Sequence, residues 1–222
     1  IVAWKRIVDW VHAHSDAKFA MQIGHAGAKA STRLAWEGID QPLLSGNWPL
    51  LSASPQQYLE GVSQVSSAMT RADRDAVTAQ FVASAQAAAD SGVDWLELHC
   101  AHGYLLSSFI SPLTNQREDD YGGSLENRLR FSVDILKAIR AATSDDFVIG
   151  MRISADELDG GGLDADEVLA ICQALEPHLD YVNLTLGTSA SLGGAVHIAP
   201  PMAFKAGYIA EQTKVFKDTL NI

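Results

Sequence analysis

Four short apolar runs punctuate the chain: KFAMQI from Lys18, VDWLELHC from Val93, FVIGMRI from Phe147 and YVNLTLG from Tyr181. Near-continuous hydrophobicity over so few residues is the pattern of strands covered on both faces, and such strands are parallel, because parallel neighbours need a crossover helix that then packs on the sheet. The helices are legible too. Thr70, with Asp73 three residues on, opens a pattern bearing Val77, Phe81 and Ala85 that stops at Ser91 and Gly92. Ser124 caps a helix over 125–142, and Asp164 and Glu167 frame the start of one bearing Val168, Ile171, Cys172 and Leu175. Trp4, Ile7, Val8 and Val11 predict a first amphipathic helix, and a last helical pattern covers 203–220. The class is α/β.

Residues 24–68 show no sustained period and are rich in Gly, Ser and Pro, so they form a long excursion within the domain, of the kind that is functional or flexible. With 47% hydrophobic and 19% charged residues the chain can bury a core, and no run approaches the roughly 18 apolar residues of a membrane span. A cytoplasmic protein without a membrane partner is expected. The net charge of -11 argues against nucleic acid as a partner, which would need clustered Lys and Arg. Cys100 and Cys172 lie far apart without CxxC spacing, so neither a disulfide framework nor a thiolate metal site is expected.

Polar residues recur at the C-terminal ends of the strands: Gln22 and His25, His99 and His102, Arg152, then Asn183 and Thr185. That is the catalytic face of a (β/α)8 barrel, whereas a doubly wound sheet would carry a glycine-rich phosphate turn, and neither GxGxxG nor a Walker sequence occurs. A TIM barrel is therefore preferred. Only four of its eight strands are visible, and barrels take about 250 residues. The expectation is one barrel domain over 1–222, incomplete at both ends and belonging to a longer polypeptide.

ELHCAHGY poses the sharpest question, since alternating strand residues point to opposite faces and His99 and His102 would diverge if the strand ran through both. A turn at Gly103 would let the two imidazoles converge. A metal site with His99, His102 and Glu97 is a possible reading, but Glu97 lies five residues before His102 and no Asp closes the set. Buried ring packing is the structural alternative.

MQIGHAGAKAS together with LELHCAHGYLLSSFISPLTNQREDDYGGSLENRLRF resembles the Old Yellow Enzyme family of FMN-dependent NADH:flavin oxidoreductases. STRLAWEGIDQPLLSGNWPLLSASP is similar to the bacterial ene-reductase branch and to the oxidoreductase domain joined to salicylyl-CoA hydroxylases. LGTSASLGGAVHIAPPM resembles instead the branch of dienoyl-CoA reductases and amine dehydrogenases. The resemblance implies a barrel of which this chain supplies about strands three to six. It implies FMN as cofactor, NADH or NADPH as electron donor, and a small molecule with an activated alkene, or an aromatic CoA ester, as substrate. It also implies that Gln22 and Arg152 bind the flavin, that His99 and His102 donate hydrogen bonds to the substrate's carbonyl oxygen, and that Tyr104 donates a proton.

Other residues read as support. His25 holds its loop, and Arg117, Asp119, Asp120 and Arg128 form an ionic clasp that seats the next helix. Trp36 and Trp48 cover the pocket, pack, or meet another subunit. Where many relatives have HAGR this chain has Gly27-Ala28-Lys29, so a cation that could meet flavin or substrate oxygen is displaced or lost, with Lys29 the candidate to compensate. Beside the reductase stand two alternatives, a non-catalytic partial barrel acting in assembly with a second copy or the rest of a longer chain, and a His-ligated metal hydrolase.

Overall fold

The computed structural model describes residues 1–189 and 191–222. Helix α1 (Val2–His14) leads to β1 (Ala20–Ile23), and the excursion that follows carries the two-residue strands β2 (Leu51–Ser52) and β3 (Ser67–Ala68). Next come α2 (Arg71–Asp90), β4 (Trp95–His99), α3 (Leu105–Ile110), α4 (Leu125–Ala142), β5 (Val148–Ser154), α5 (Ala165–Leu175) and β6 (Tyr181–Thr185). Helices α6 (Leu192–Ile198) and α7 (Ala210–Thr219) close the order. The four apolar runs form one parallel sheet in the order β1-β4-β5-β6.

Two carboxylates set the register at the strand starts. Asp94, just before β4, accepts from the Phe19 amide at 2.7 Å, and Asp180, just before β6, accepts from the Ile149 amide at 2.7 Å. Each ties an incoming strand to its neighbour, and because side chains alternate, a register fixed at one residue fixes which face every later residue takes. Leu96, Leu98, Ile149, Met151 and Ile153 consequently share the helix-facing side, all at most 1% exposed, in one cluster with Phe131, Ile135, Ile139, Val168 and Ile171. Burying each such side chain stabilises the fold by about 1.5–3 kcal/mol. The opposite face carries Gln22, Glu97, His99, Arg152, Tyr181 and Asn183.

The caps are as expected. Thr70 and Asp73 form a complete capping box, Ser124 accepts from the Asn127 amide, and Asp164 accepts from the Glu167 amide. Among the described residues no helix is long and apolar enough to cross a membrane.

Several expectations need correction. The apolar stripe of α1 is mostly outside: Val8 is buried, but Trp4 and Ile7 are exposed, because a stripe reports what a helix could bury and not what lies against it. The helical pattern over 203–220 is realised only from Ala210, while α6 lies upstream of it, and α3 begins directly after the histidine turn. The clasp is real but wider. Arg117 pairs with Asp119 and donates to the carbonyls of Ala53 and Met69, fastening the excursion, while Arg128 pairs with Glu167 on α5 and donates to Ile110 O. Asp120 takes part through its backbone carbonyl, which accepts from Arg130.

Gly150 is required by packing. A Cβ there would stand 2.1 Å from Tyr181 Cε1, because the tyrosine ring lies across β5 to reach Glu97 with its hydroxyl at 3.1 Å. Gly150→Ala should lower stability by about 1–3 kcal/mol, the usual cost of overpacking. Urea unfolding of Gly150→Ala, Tyr181→Ala and the double variant checks this: the double variant should lose less than the two single losses added together. Strict additivity would mean that the ring is not what the glycine accommodates.

Candidate active site

Strand β4 ends at His99, and the Cys100 amide donates to Arg152 O, the last ladder bond before the chain turns. His102 (φ 64°) and Gly103 (φ 77°) then take left-handed conformations. A histidine there is uncommon and is kept by bonds on both sides. Its carbonyl accepts from the Ser189 hydroxyl at 2.5 Å, and the Gly103 amide donates to Ser107 Oγ at 3.2 Å. The turn answers the parity question: the rings of His99 and His102 meet edge to face with centroids 5.4 Å apart, and Tyr104, at the start of α3, stands 4.9 Å from His99.

Beneath them runs a layer in register, Gln22 beside Glu97, Glu97 beside Gly150, Gly150 beside Tyr181. Glu97 is buried and accepts from Gln22 Nε2 at 2.6 Å, Asn183 Nδ2 at 2.9 Å and Tyr181 OH at 3.1 Å. A carboxylate can only accept, so the Gln22 amide must turn its nitrogen to Glu97, leaving Oε1 available. Glu97 is therefore committed to three donors on neighbouring strands, which removes the geometric basis for a metal site built on Glu97, His99 and His102. Sequence reasoning weighed it only as a ligand. Its position two residues before His99, on the same face of β4, was the signal that it lies under the site.

Arg152 occupies the layer above, beside His99 and Asn183. Its Nη2 donates to Thr185 Oγ1 at 3.4 Å, while the buried Nε has no partner among the described residues. No carboxylate pairs with it among the described residues, so it is not a structural ion-pair partner. Burial, and next the Arg152 charge, pull His99 down to about 4. Burial, and next His99, do the same to His102. Both rings are neutral at pH 7.

Their tautomers follow from their partners. The Ala101 amide donates to His99 Nδ1 at 3.2 Å, so the proton sits on Nε2. His102 Nδ1 lies 3.4 Å from Gly187 O, but that carbonyl already accepts from Ser154 Oγ at 2.7 Å. A carbonyl only accepts, so that contact puts the proton of a neutral His102 on Nδ1, and Nε2, buried and without a partner among the described residues, donates only in the tautomer that gives up this long bond. Each ring can then offer one N–H.

A cavity of about 400 Å3 opens here, lined by Gln22, Gly24, His25, Ala26, His99 and Tyr104. His25 both lines it and holds its loop, its Nδ1 accepting from the Gly27 amide at 3.0 Å. Trp36 and Trp48 are 81% and 52% exposed and do not line it. The excursion brings Tyr58 beside the site, against Lys29 and with its hydroxyl donating to Ser189 O at 3.0 Å. No local pattern marks Tyr58; only the folding back of the excursion brings it here. Ala190, within the motif of the last branch resemblance, lies outside the described residues.

The chain matches the profile of the NADH:flavin oxidoreductase / NADH oxidase family over residues 1–210. It is 34% identical over 218 residues to an NADH:flavin oxidoreductase of Gibberella zeae, covering 91% of this chain and 51% of that protein. It is 34% identical over 202 residues to an NADPH dehydrogenase of Listeria monocytogenes, covering 91% and 53%. Its fold is similar to that of a 2-naphthoyl-CoA reductase solved with 2-naphthoyl-CoA, with a TM-score of 0.81 at 26% identity over 97% of this chain and 32% of that one. The chain thus spans about half the length of the curated relatives it matches. A parallel sheet whose strand ends carry the polar groups, and a match along nearly the whole sequence, agree: the chain belongs to the NADH:flavin oxidoreductase / NADH oxidase family, and its α/β fold is part of the TIM barrel of those enzymes.

Proposed function

We propose that this chain carries the substrate face of an FMN-dependent oxidoreductase that reduces activated alkenes, of the α,β-unsaturated carbonyl or enoyl-CoA type, with NADH or NADPH as electron donor. The observation that carries the proposal is the convergence of two neutral imidazoles and a tyrosine beside Arg152 and above the layer that holds Gln22. The residues fit a flavin. Gln22 Oε1 is free to accept from a ring N–H, and the unpartnered Arg152 Nε is a buried cationic donor that suits a carbonyl edge gaining negative charge. Bound flavin would supply hydride transfer.

The chain's own residues supply the rest. His99 and His102 each direct an N–H at the substrate's carbonyl oxygen and stabilise the negative charge that develops there, about 3 kcal/mol per well-placed donor. Because both rings are neutral, they donate hydrogen bonds without surrendering a proton to the oxygen. Tyr104, 4.9 Å from His99 between ring centroids, holds the proton for the α-carbon.

FMN titration of the 222-residue chain is the direct test. Saturable binding is expected, weakened roughly 10- to 100-fold by Arg152→Met, the usual cost of losing a charged hydrogen-bond donor. In the flavin-loaded protein, His99→Ala with His102→Ala should slow alkene reduction by at least 100-fold while leaving flavin reduction by nicotinamide within a few-fold. Equal losses in the two half-reactions would make the histidines supports of the fold, and no FMN binding at all would sink the reading for this chain.

Acid stability is a second check. Folded, both rings take up protons only near pH 4; unfolded, near 6.5. Between those values the unfolded chain binds more protons, so stability present above pH 6.5 is lost as the pH falls toward 4. Thermal unfolding of His99→Gln/His102→Gln should show a flatter pH dependence over that window than the unaltered chain. An unchanged slope would mean that other groups govern it.

A further inference from the structure

Lys29 is the charged group at the site that the proposed reaction leaves without a task. It ends the short turn over Gly27–Lys29, and that turn is docked on α3. Gly27 has φ 62°, and a Cβ on it would approach Leu105 N to 2.8 Å, so only glycine fits there. The Leu105 amide donates to His25 O at 3.0 Å. The turn is thus bound to the helix start that presents Tyr104, and Lys29 has a fixed place relative to it. Its Nζ sits 4.7 Å from the ring centroid of Tyr58 and 4.8 Å from that of Tyr104. Tyr58 is anchored in turn, its hydroxyl on Ser189 O, and Ser189 bonds to His102 O.

This ammonium is half-buried, and among the described residues it makes neither an ion pair nor a hydrogen bond. Asp40 acts on it only through its field, and burial lowers its pKa. Two aromatic faces offset part of the desolvation. They do so through the quadrupole of the ring and accept none of the three N–H bonds in the strong geometry an oxygen offers. Tyr104, whose ring the ammonium overlies, lines the cavity together with His99 and stands 4.9 Å from it between ring centroids, which places the cation at the flank of the histidine pair. The imidazoles are neutral donors suited to a carbonyl or phenol oxygen, and the ammonium has capacity for an anion.

We infer that Lys29 is an acid-recognition group: the ammonium between Tyr58 and Tyr104 takes a carboxylate carried by the same molecule whose carbonyl or phenol oxygen meets His99 and His102. This rests on the substrate-binding role proposed for the histidines and narrows it to acidic substrates. Neutral alkenes of the same shape would bind, but weakly.

Calorimetric titration of the chain with 4-hydroxybenzoate, 3-hydroxybenzoate and their methyl esters tests this, with and without FMN. At least one acid should bind tenfold or more tighter than its ester. Lys29→Met should weaken that acid roughly 10- to 100-fold and change the ester less than about twofold, while Lys29→Arg should retain the preference. Unfolding temperatures of both variants establish that they fold, and Lys29→Arg keeps the test decisive if Lys29→Met does not. Acid and ester binding alike, or neither binding, overturns the inference, as does a loss of FMN affinity in Lys29→Met matching its loss of acid affinity, which would give Lys29 to the cofactor. The two readings fail separately: an acid preference without FMN binding sinks the flavoenzyme reading for this chain, and FMN binding without acid preference sinks only this inference.

Discussion

Everything on the polar side of the sheet is organised by one buried anion, the Glu97 carboxylate. Taking a carboxylate out of water costs several kcal/mol unless hydrogen bonds replace the lost solvent. Here the replacement comes from Gln22 on the adjacent β1 and from Asn183 and Tyr181 on β6, which reach across β5. No cation pairs with it among the described residues. Its stabilisation therefore depends on three donors standing in register, and those donors are held in turn by it. Loss of any one leaves a charged oxygen short of a partner, which is more costly than the bond was favourable. Gly150 belongs to the same arrangement, since only a residue without a side chain lets the Tyr181 ring cross β5 to reach the carboxylate.

How much of this could be read from residues alone depends on the range of the interaction. The sheet strands were legible because their apolar runs are local, and α2, α4 and α5 because capping residue and stripe fall within one helix. Helix α3 was not: all of its residues from Leu105 to Ile110 are buried, so it has no polar face to set a period. Strands β2 and β3 are two residues each, too short for alternation. Within the site, the convergence of His99 and His102 was legible as a condition, a turn at Gly103, and the left-handed pair at His102 and Gly103 is how the chain meets it. The part of Glu97 in the site was hidden, because the donors to a strand residue are decided by register with strands more than 50 residues away. Tyr58 was hidden for the same reason, and the tryptophans drew attention only through their size.

The protonation of the histidine pair is likewise a property of its surroundings. His99 has its proton placed by a backbone amide that occupies Nδ1. His102 shares the Gly187 carbonyl with Ser154 through a long Nδ1 contact, so its other nitrogen donates only in the tautomer that gives that contact up. Burial, and next the Arg152 charge, disfavour a proton on His99, and burial, and next His99, disfavour one on His102, so both rings stay neutral. Two donors without a net charge can hold an oxygen that becomes negative, and release it once it is neutral again, more readily than two imidazolium ions could.

The charges of the site thus divide by depth and by what answers them. Glu97, the deepest, is satisfied entirely from within the sheet and gives the layer its order. Arg152, one layer up, is half satisfied: Thr185 takes one nitrogen at long range, and the buried Nε is left without an acceptor. Lys29, at the flank, meets only ring faces. An unanswered donor is a cost in the free chain of about 1–3 kcal/mol, and a fold carries it where a ligand returns it. By that criterion the open cationic donors of the site, among the described residues, are those of Arg152 and Lys29, the groups on which the proposed cofactor binding and the inferred acid recognition rest.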